Sequence, residues 1–320
     1  MDARSTQGPI HRLAFDVDWR PGHVACYLVD GPEPVLVDAA LPEHEAAFRQ
    51  ALAEHDYTPA DIDHLLITHP HVDHVGLTPT LLQAGDPTVY APAGVRERFN
   101  RGVAGLRERV EANCREAGFP DEQRSTAVEM AVESLERDST LLAPEAVDVW
   151  LDAGEEANVG GLETTPVHVP GHQADHLCYP VDIDGEDALL AGDMGIKPFR
   201  PVVMHDGLDD GYREAFPAFY TALDRLDDID VERVYPGHGP VHGDLAGAVA
   251  HARASLDSRL SQVADLVADG HATAPAVAMS LAGDREIEYL IPEAMSALAH
   301  LEAAGEIDST LNDGVRYYDA

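Results

Sequence analysis

Lysine is almost missing from this chain of 320 residues: Lys197 is the only one, and the other 20 of the 21 basic residues are arginine. They stand against 58 acidic residues, for a formal charge of −37. A field that negative repels nucleic-acid phosphate and anionic lipid at ordinary salt, so neither nucleic acid nor a membrane surface is the expected partner. It also strains the compact state by self-repulsion unless salt screens it. At about 1 M salt the screening length falls to ~3 Å. An acidic, lysine-poor surface is what a protein of a high-salt cytosol needs, and a halophilic, cytoplasmic protein is the expectation. Cysteine is scarce too. Cys26, Cys114 and Cys178 lie far apart and are odd in number, which excludes a disulfide framework and a CxxC metal site. Three buried thiols in a reducing compartment fit better. No run of about 18 apolar residues is present, so no membrane-spanning helix is expected. The opening Met1 to Gln7 lacks the apolar segment of a signal peptide.

What remains is ordinary in proportion: 45% hydrophobic and 25% charged residues, with length for roughly two domains. Leu13–Phe15, Val24–Val29 and Val35–Val37 read as strands, with a tight turn at Gly31-Pro32. Pro42–Ala53 reads as a helix with proline in its first turn. Leu65–Ile67 and Thr88–Tyr90 read as further buried strands, giving a mixed α/β pattern. From about 93 to 142 the character changes. Val95, Phe99, Val103, Leu106, Val110 and Cys114 recur at spacings of three and four, one face of a long helix. Gly118-Phe-Pro120 breaks it, and Val128, Ala131, Val132 and Leu135 mark a second helix. This is a helical hairpin inserted between strands, of the kind that covers a site. Strand-like runs resume at Val147–Trp150, Thr164–Val169, Leu177–Tyr179, Ala188–Ala191 and Arg233–Tyr235, so two similar α/β halves are expected. From Leu245 the chain turns helical, on a stripe of Leu245, Val249, Ala252, Leu256, Leu260, Val263 and Val267. Shorter helices near Ala274–Leu281 and Pro292–Ala304 and a hairpin around Gly314 complete a winged-helix-like module. Its presumed recognition helix carries no Arg or Lys. Packing against the core, or forming a homodimer, is therefore its expected job.

The chemistry is concentrated just after the strand at Leu65–Ile67, in Thr68-His69-Pro70-His71-Val72-Asp73-His74. Three histidines and an aspartate within six residues are donors suited to a borderline divalent ion such as zinc. In an extended backbone His69 and His71 project to the same side, so both can serve one ion. Asp73 and His74 reach elsewhere and can serve a second. Three further candidates each follow a glycine that lets the chain turn sharply: His172 in Pro170-Gly-His, Asp193 in Ala191-Gly-Asp, and His238 in Pro236-Gly-His. Together these make seven nitrogen or oxygen ligands, enough for two ions with a position left for water.

With the HxHxDH motif intact and His172, Asp193 and His238 following in order, the sequence resembles the metallo-β-lactamase superfamily over roughly residues 10–243. The resemblance implies a four-layer αββα sandwich with the metals at one edge of its two sheets. That domain would span 1–243, with the helical insertion at about 93–142, and the winged-helix-like module would span 244–320. It would place one metal on His69, His71 and His172 and a second on Asp73, His74 and His238, with Asp193 bridging, the full set of the glyoxalase II-like and nuclease-like branches. The metals would be two divalent ions, zinc first, with iron or manganese also accepted by these donors. Metal-bound water, its pKa lowered from about 16 to about 7, would supply hydroxide for attack on an acyl or phosphoryl centre. Asp73 would both ligate and orient that hydroxide as the catalytic carboxylate. Asp38, at the end of Val35–Val37, is a candidate acceptor for a ligand histidine. The lone Lys197, four residues after Asp193, is a candidate for holding an anionic substrate group. His23 and His205 are candidates to line the cleft, and His176 reads as structural.

The expected activity is hydrolysis of a small acyl substrate, a thioester, lactone or ester. Two departures narrow it. The branch that opens acyl-homoserine lactones carries a Tyr where Ile196 stands, and the four arginines against thirteen acids over 244–320 are a poor cradle for glutathione. The alternatives within the same superfamily are a phosphodiesterase or nuclease, which the missing basic patch counts against, and an oxidoreductase like the mononuclear iron persulfide dioxygenases.

Overall fold

The computed structural model of the chain describes residues 9–283 and 290–320. The sequence reading of Met1 to Gln7 lies outside them. Six strands, β1 (Ile10–Asp16), β2 (His23–Val29), β3 (Val35–Val37), β4 (His64–Leu66), β5 (Thr88–Pro92) and β6 (Val149–Leu151), bond in that order into one sheet. The first three pair antiparallel and β3 to β6 run parallel. A short hairpin follows, β7 (Ala157–Val159) and β8 (Leu162–Thr164). The second sheet has four strands, β9 (Val167–His168), β10 (Leu177–Ile183), β11 (Glu186–Gly192) and β12 (Arg233–Pro236), in the order β12-β11-β10-β9. The helices α1 (Glu45–Ala53), α2 (Val72–Val75), α3 (Thr78–Ala84), α4 (Ala93–Asn100), α5 (Val103–Ala117) and α6 (Asp121–Leu141) interleave with the first sheet. Then come α7 (Ala215–Asp227), α8 (Leu245–Ala268), α9 (Ala274–Ala282) and α10 (Leu290–Ala304), and a final hairpin of β13 (Asp308–Asn312) and β14 (Val315–Asp319).

Strand periodicity fixes the layering. In β2, Val24, Cys26 and Leu28 join Phe48 and Leu52 of α1 and Leu81 of α3, whereas Ala25, Tyr27 and Val29 join Tyr179, Leu190 and Tyr235 of the other sheet. In β11, Ala188 and Leu190 face the first sheet, while Leu189 and Ala191 meet Phe216 and Phe219 of α7 and Leu256 of α8. Each fully buried Val, Leu or Phe among them stabilises by roughly 1.5–3 kcal/mol. A one-residue slip would swap every one to the wrong face, so the register is strongly specified. The result is the expected four-layer αββα sandwich.

Several boundaries differ from the sequence reading. The long helix expected from Val95 to Cys114 is two, α4 and α5. The chain turns at Gly102, whose φ of 76° leaves the helical region. The single strand expected at Thr164–Val169 is split into β8 and β9 around Pro166, which has no N–H for a ladder. The two halves are unequal, six strands against four among the described residues.

The inserted helices are latched to the segment after β11 by arginine–carboxylate pairs. Arg98 reaches Asp206 at 2.5 Å and Arg109 reaches Asp209 at 2.5 Å, with Arg101 at 3.5 Å from both acids. Helices α8 to α10 share the apolar cluster on the outer face of the second sheet, through Leu256, Val263, Val277 and Leu298. Among the described residues no helix is long and apolar enough to cross a membrane.

Candidate metal centre

The C-terminal ends of β4, β9, β11 and β12 meet at one edge of the two sheets, and each delivers part of one cluster. After β4 the chain runs extended through His69 to His71, then turns into α2, which carries Asp73 and His74. His172 follows β9, Asp193 follows a bulge at the end of β11, and His238 follows β12. Gly237 is needed for that approach: a Cβ there would stand 2.6 Å from the His74 ring and 2.7 Å from Asp193 Oδ1.

All seven sequence candidates for ligands come together. His71 Nδ1 lies 3.0 Å from His69 Nε2 and 3.1 Å from His172 Nε2. His172 Nε2 is 3.2 Å from Asp193 Oδ2, and His74 Nε2 is 3.2 Å from Asp193 Oδ1. His238 Nε2 is 3.2 Å from Asp73 Oδ2 and 3.4 Å from Asp193 Oδ2. Three overlapping groups have ligand atoms within 4.8 Å of one another: His69, His71, His172; His69, His74, Asp193; and Asp73, His74, His238. Donors about 2.0–2.1 Å from a tetrahedral zinc are separated from each other by about 3.4 Å. The observed spacings are ones that atoms around an ion could take. A second observation agrees. His74 Nε2 and Asp193 Oδ1 are buried and close, yet neither makes a hydrogen bond, an expensive arrangement for polar atoms that have no common centre to serve.

The far side of four of the five rings is tied, and His71 instead turns its Nδ1 toward His69 and His172. His69 Nδ1 meets Thr68 Oγ1 at 3.0 Å, His74 Nδ1 meets Asp38 Oδ2 at 2.8 Å, His172 Nδ1 meets the Val202 carbonyl at 3.0 Å, and His238 Nδ1 meets the His23 carbonyl at 2.8 Å. A carbonyl or carboxylate on Nδ1 holds the proton there and leaves the Nε2 lone pair aimed inward. Asp38 is thus an orienting acceptor rather than a helix cap. Its φ of 60° turns the carboxylate back onto Thr68 and His74.

The electrostatics call for cations. Burial and then neighbouring histidines hold His69 and His71 well below the ordinary histidine value, so their lone pairs are free. Burial would raise Asp73, but His74 and His238 draw it down to about 2. Asp193 also lies well below the ordinary carboxylate range, burial being outweighed by His238 and His74. In return, the carboxylates lift His238 to about 10 and His74 well above its usual value, against burial. Two buried carboxylates demand positive charge beside them, as protons on these rings or as divalent ions.

The other candidates are placed differently. Lys197 pairs with Asp244, the residue that caps α8 through the Gly247 N–H. The His23 ring brackets Gly239, accepting its N–H at 3.0 Å, and its part in the centre is the carbonyl on His238. His205 braces the His172 turn through its own N–H, which donates to the carbonyls of Gly171 and His172. His176 lies behind the cluster, accepting the Asp193 N–H at 3.0 Å and stacking on His69 with ring centroids 4.6 Å apart. Two contributors escaped the sequence reading. The Val202 carbonyl has no sequence signal. Trp19, in the turn between β1 and β2, stands edge-on to His238 with centroids 5.6 Å apart and remains 39% exposed; an exposed tryptophan near a turn was the signal.

Known proteins agree with this fold. A protein 26% identical over 220 residues is the beta-lactamase-like protein 2 homolog of Caenorhabditis elegans, covering 66% of this chain. The chain spans 54% to 60% of the length of the first relatives it matches. Hydroxyacylglutathione hydrolase of Rhodopseudomonas palustris is 27% identical over 213 residues, 66% of this chain and 61% of its own. A solved metallo-beta-lactamase family protein from Thermus thermophilus superposes with a TM-score of 0.78 at 24% identity, covering 97% of this chain and 98% of that one. The family model described as the metallo-beta-lactamase superfamily matches residues 19–238, from the exposed Trp19 to the last histidine of the cluster. The chain belongs to the metallo-beta-lactamase superfamily.

Proposed function

We propose that this chain is a metal-dependent hydrolase of small acyl substrates. His69, His71 and His172 hold one divalent ion, Asp73, His74 and His238 hold a second, and Asp193 lies between them. The observation that carries this reading is the convergence of donor atoms at 3.0 to 3.4 Å, with four of the five rings tied from behind. Two bound divalent ions, zinc by the chemistry of the donors, would supply acidified water and polarisation of a substrate oxygen. The chain's own residues do the rest. Asp73, its Oδ2 held 3.2 Å from His238, stays ionised, so it can accept a hydrogen bond from the attacking water and orient it. Thr68 and Asp38 keep His69 and His74 turned inward. Trp19 offers an apolar wall beside His238 for the acyl part of the substrate. An acyl rather than a phosphodiester substrate is favoured by the charge of −37 and by a relative named for hydrolysis of an acyl glutathione.

The test is turnover in high salt, after zinc reconstitution, on an acyl thioester and bis(p-nitrophenyl) phosphate side by side. Preference for the thioester is expected. Preference for the phosphodiester would overturn the substrate class, and silence on both with metal bound would overturn the hydrolase reading. The same acidic, single-lysine surface supports a working environment of molar salt in the cytosol. There, circular dichroism should show the fold loosening between molar and millimolar KCl, and an unchanged spectrum would refute it.

A further inference from the structure

One peptide group touches both the proposed metal centre and a buried carboxylate far along the chain. The carbonyl of the Val202–Val203 peptide accepts from His172 Nδ1 at 3.0 Å, and its N–H donates to Glu293 Oε2 at 3.2 Å. Glu293 lies on α10 and is 1% exposed. Its carboxylate also receives Arg200 at 2.8 and 3.1 Å and Arg259 at 2.6 Å. Arg200 in turn donates to the Pro201 carbonyl at 2.7 Å, so residues 200–203 are clamped as a unit. Buried ion networks of this kind are often replaceable by apolar residues without loss of stability. The placement of this carboxylate on the one peptide that orients His172 therefore invites a second reason.

The reason lies in the amide. A carboxylate on the N–H draws electron density toward the carbonyl oxygen and strengthens it as an acceptor, chained hydrogen bonds reinforcing one another by about 10–30%. A stronger acceptor holds the His172 proton on Nδ1 and makes Nε2 a better donor toward an ion. We propose that Glu293 is a positioning residue for His172, acting through the Val202–Val203 peptide, so that α10 tunes a ligand at the edge of the two sheets. This rests on the metal reading of His172. Burial would raise the Glu293 carboxyl, but Arg200 and Arg259 hold it below its ordinary value, so the charge is present at neutral pH.

The test measures zinc affinity of the full chain by chelator competition, and the d–d spectrum of the cobalt-substituted protein, in Glu293→Gln, His172→Ala and the double variant. Glu293→Gln should weaken zinc about tenfold, as losing an orienting partner does, and shift the cobalt spectrum. In the His172→Ala background it should have no further effect. If Glu293→Gln unfolds the chain, a triple Glu293→Met, Arg200→Met, Arg259→Met variant removes the network without leaving a buried charge unpaired, and the same loss is expected. An unchanged affinity in a folded Glu293 variant, with His172→Ala still weakened, overturns the relay and leaves the metal centre standing. Equal weakening in both backgrounds overturns it as general loosening. An unchanged affinity in His172→Ala overturns the ligand assignment itself.

Discussion

The two halves of the site are built differently. His69, His71, Asp73 and His74 come from one strand end and the short helix after it. His172, Asp193 and His238 come from three separate strand ends of the other sheet. The first half is oriented locally, by Thr68 and by Asp38 on the neighbouring strand end. The second is oriented by peptide carbonyls from elsewhere: Val202 for His172 and, from β2 of the first sheet, His23 for His238. One half is a property of a segment, and the other is a property of the assembled fold. Damage to the second half should therefore spread from distant residues, whereas the first should fail from within or from its neighbouring brace Asp38.

The sharpest break is at the ligands. Asp193→Ala, which removes the carboxylate shared between groups, should abolish turnover by at least about a thousandfold and lower metal content more than His71→Ala does. Metal analysis beside the kinetics would check this, and full activity with full metal in either variant would sink the assignment. Next comes the local brace. Asp38→Asn leaves shape but removes charge from His74 Nδ1, and zinc affinity should fall about 10–100-fold with little change in melting temperature. Chelator competition reads it, and a large drop in melting temperature with unchanged affinity would make Asp38 a fold residue instead.

The distant brace gives a pH signature. The Glu293 carboxyl is held below its unfolded value of 4.5, so its contribution to stability is present above about that pH and is lost as pH falls through the lower folded value. The melting temperature of the parent should therefore exceed that of Glu293→Gln at neutral pH, and the gap should narrow as pH drops below 4.5. Thermal unfolding from neutral to acid pH checks this; a constant gap would refute it. The smallest effect is expected at Trp19. Trp19→Ala removes an apolar wall without touching a ligand, so KM for an apolar acyl substrate should rise about 5- to 30-fold, on the order of 1–2 kcal/mol, with kcat little changed. A change confined to kcat would place Trp19 in orienting His238.

Legibility in the sequence followed the same division. HxHxDH is readable because all four side chains belong to six consecutive residues. His172, Asp193 and His238 are readable only as glycine-flanked residues in a fixed order. The layers were implied by the family resemblance, and the uninterrupted apolar run Val24–Val29 fits them by burying both faces. The helix break at Gly102 was hidden because Phe99 and Val103 keep helical spacing across it, and β7 was hidden because Ala157–Val159 is too short and too exposed to alternate clearly. Nothing in the residues around Val202 signals its carbonyl, because a peptide group carries no sequence identity. The acceptor role of Asp38 was visible as a possibility from its strand end, and the structure decides it by the 2.8 Å contact to His74.

The pairing of Lys197 with Asp244 has one more consequence. A chain with a single ε-amine offers amine-reactive reagents one side-chain target, and here that target sits where the loop after Asp193 meets the start of α8. The rate at which that amine is acylated becomes a clock for the opening of this seam. A dye attached there would report on the join between the ligand-bearing loop and the helices beyond it, with no engineered cysteine needed.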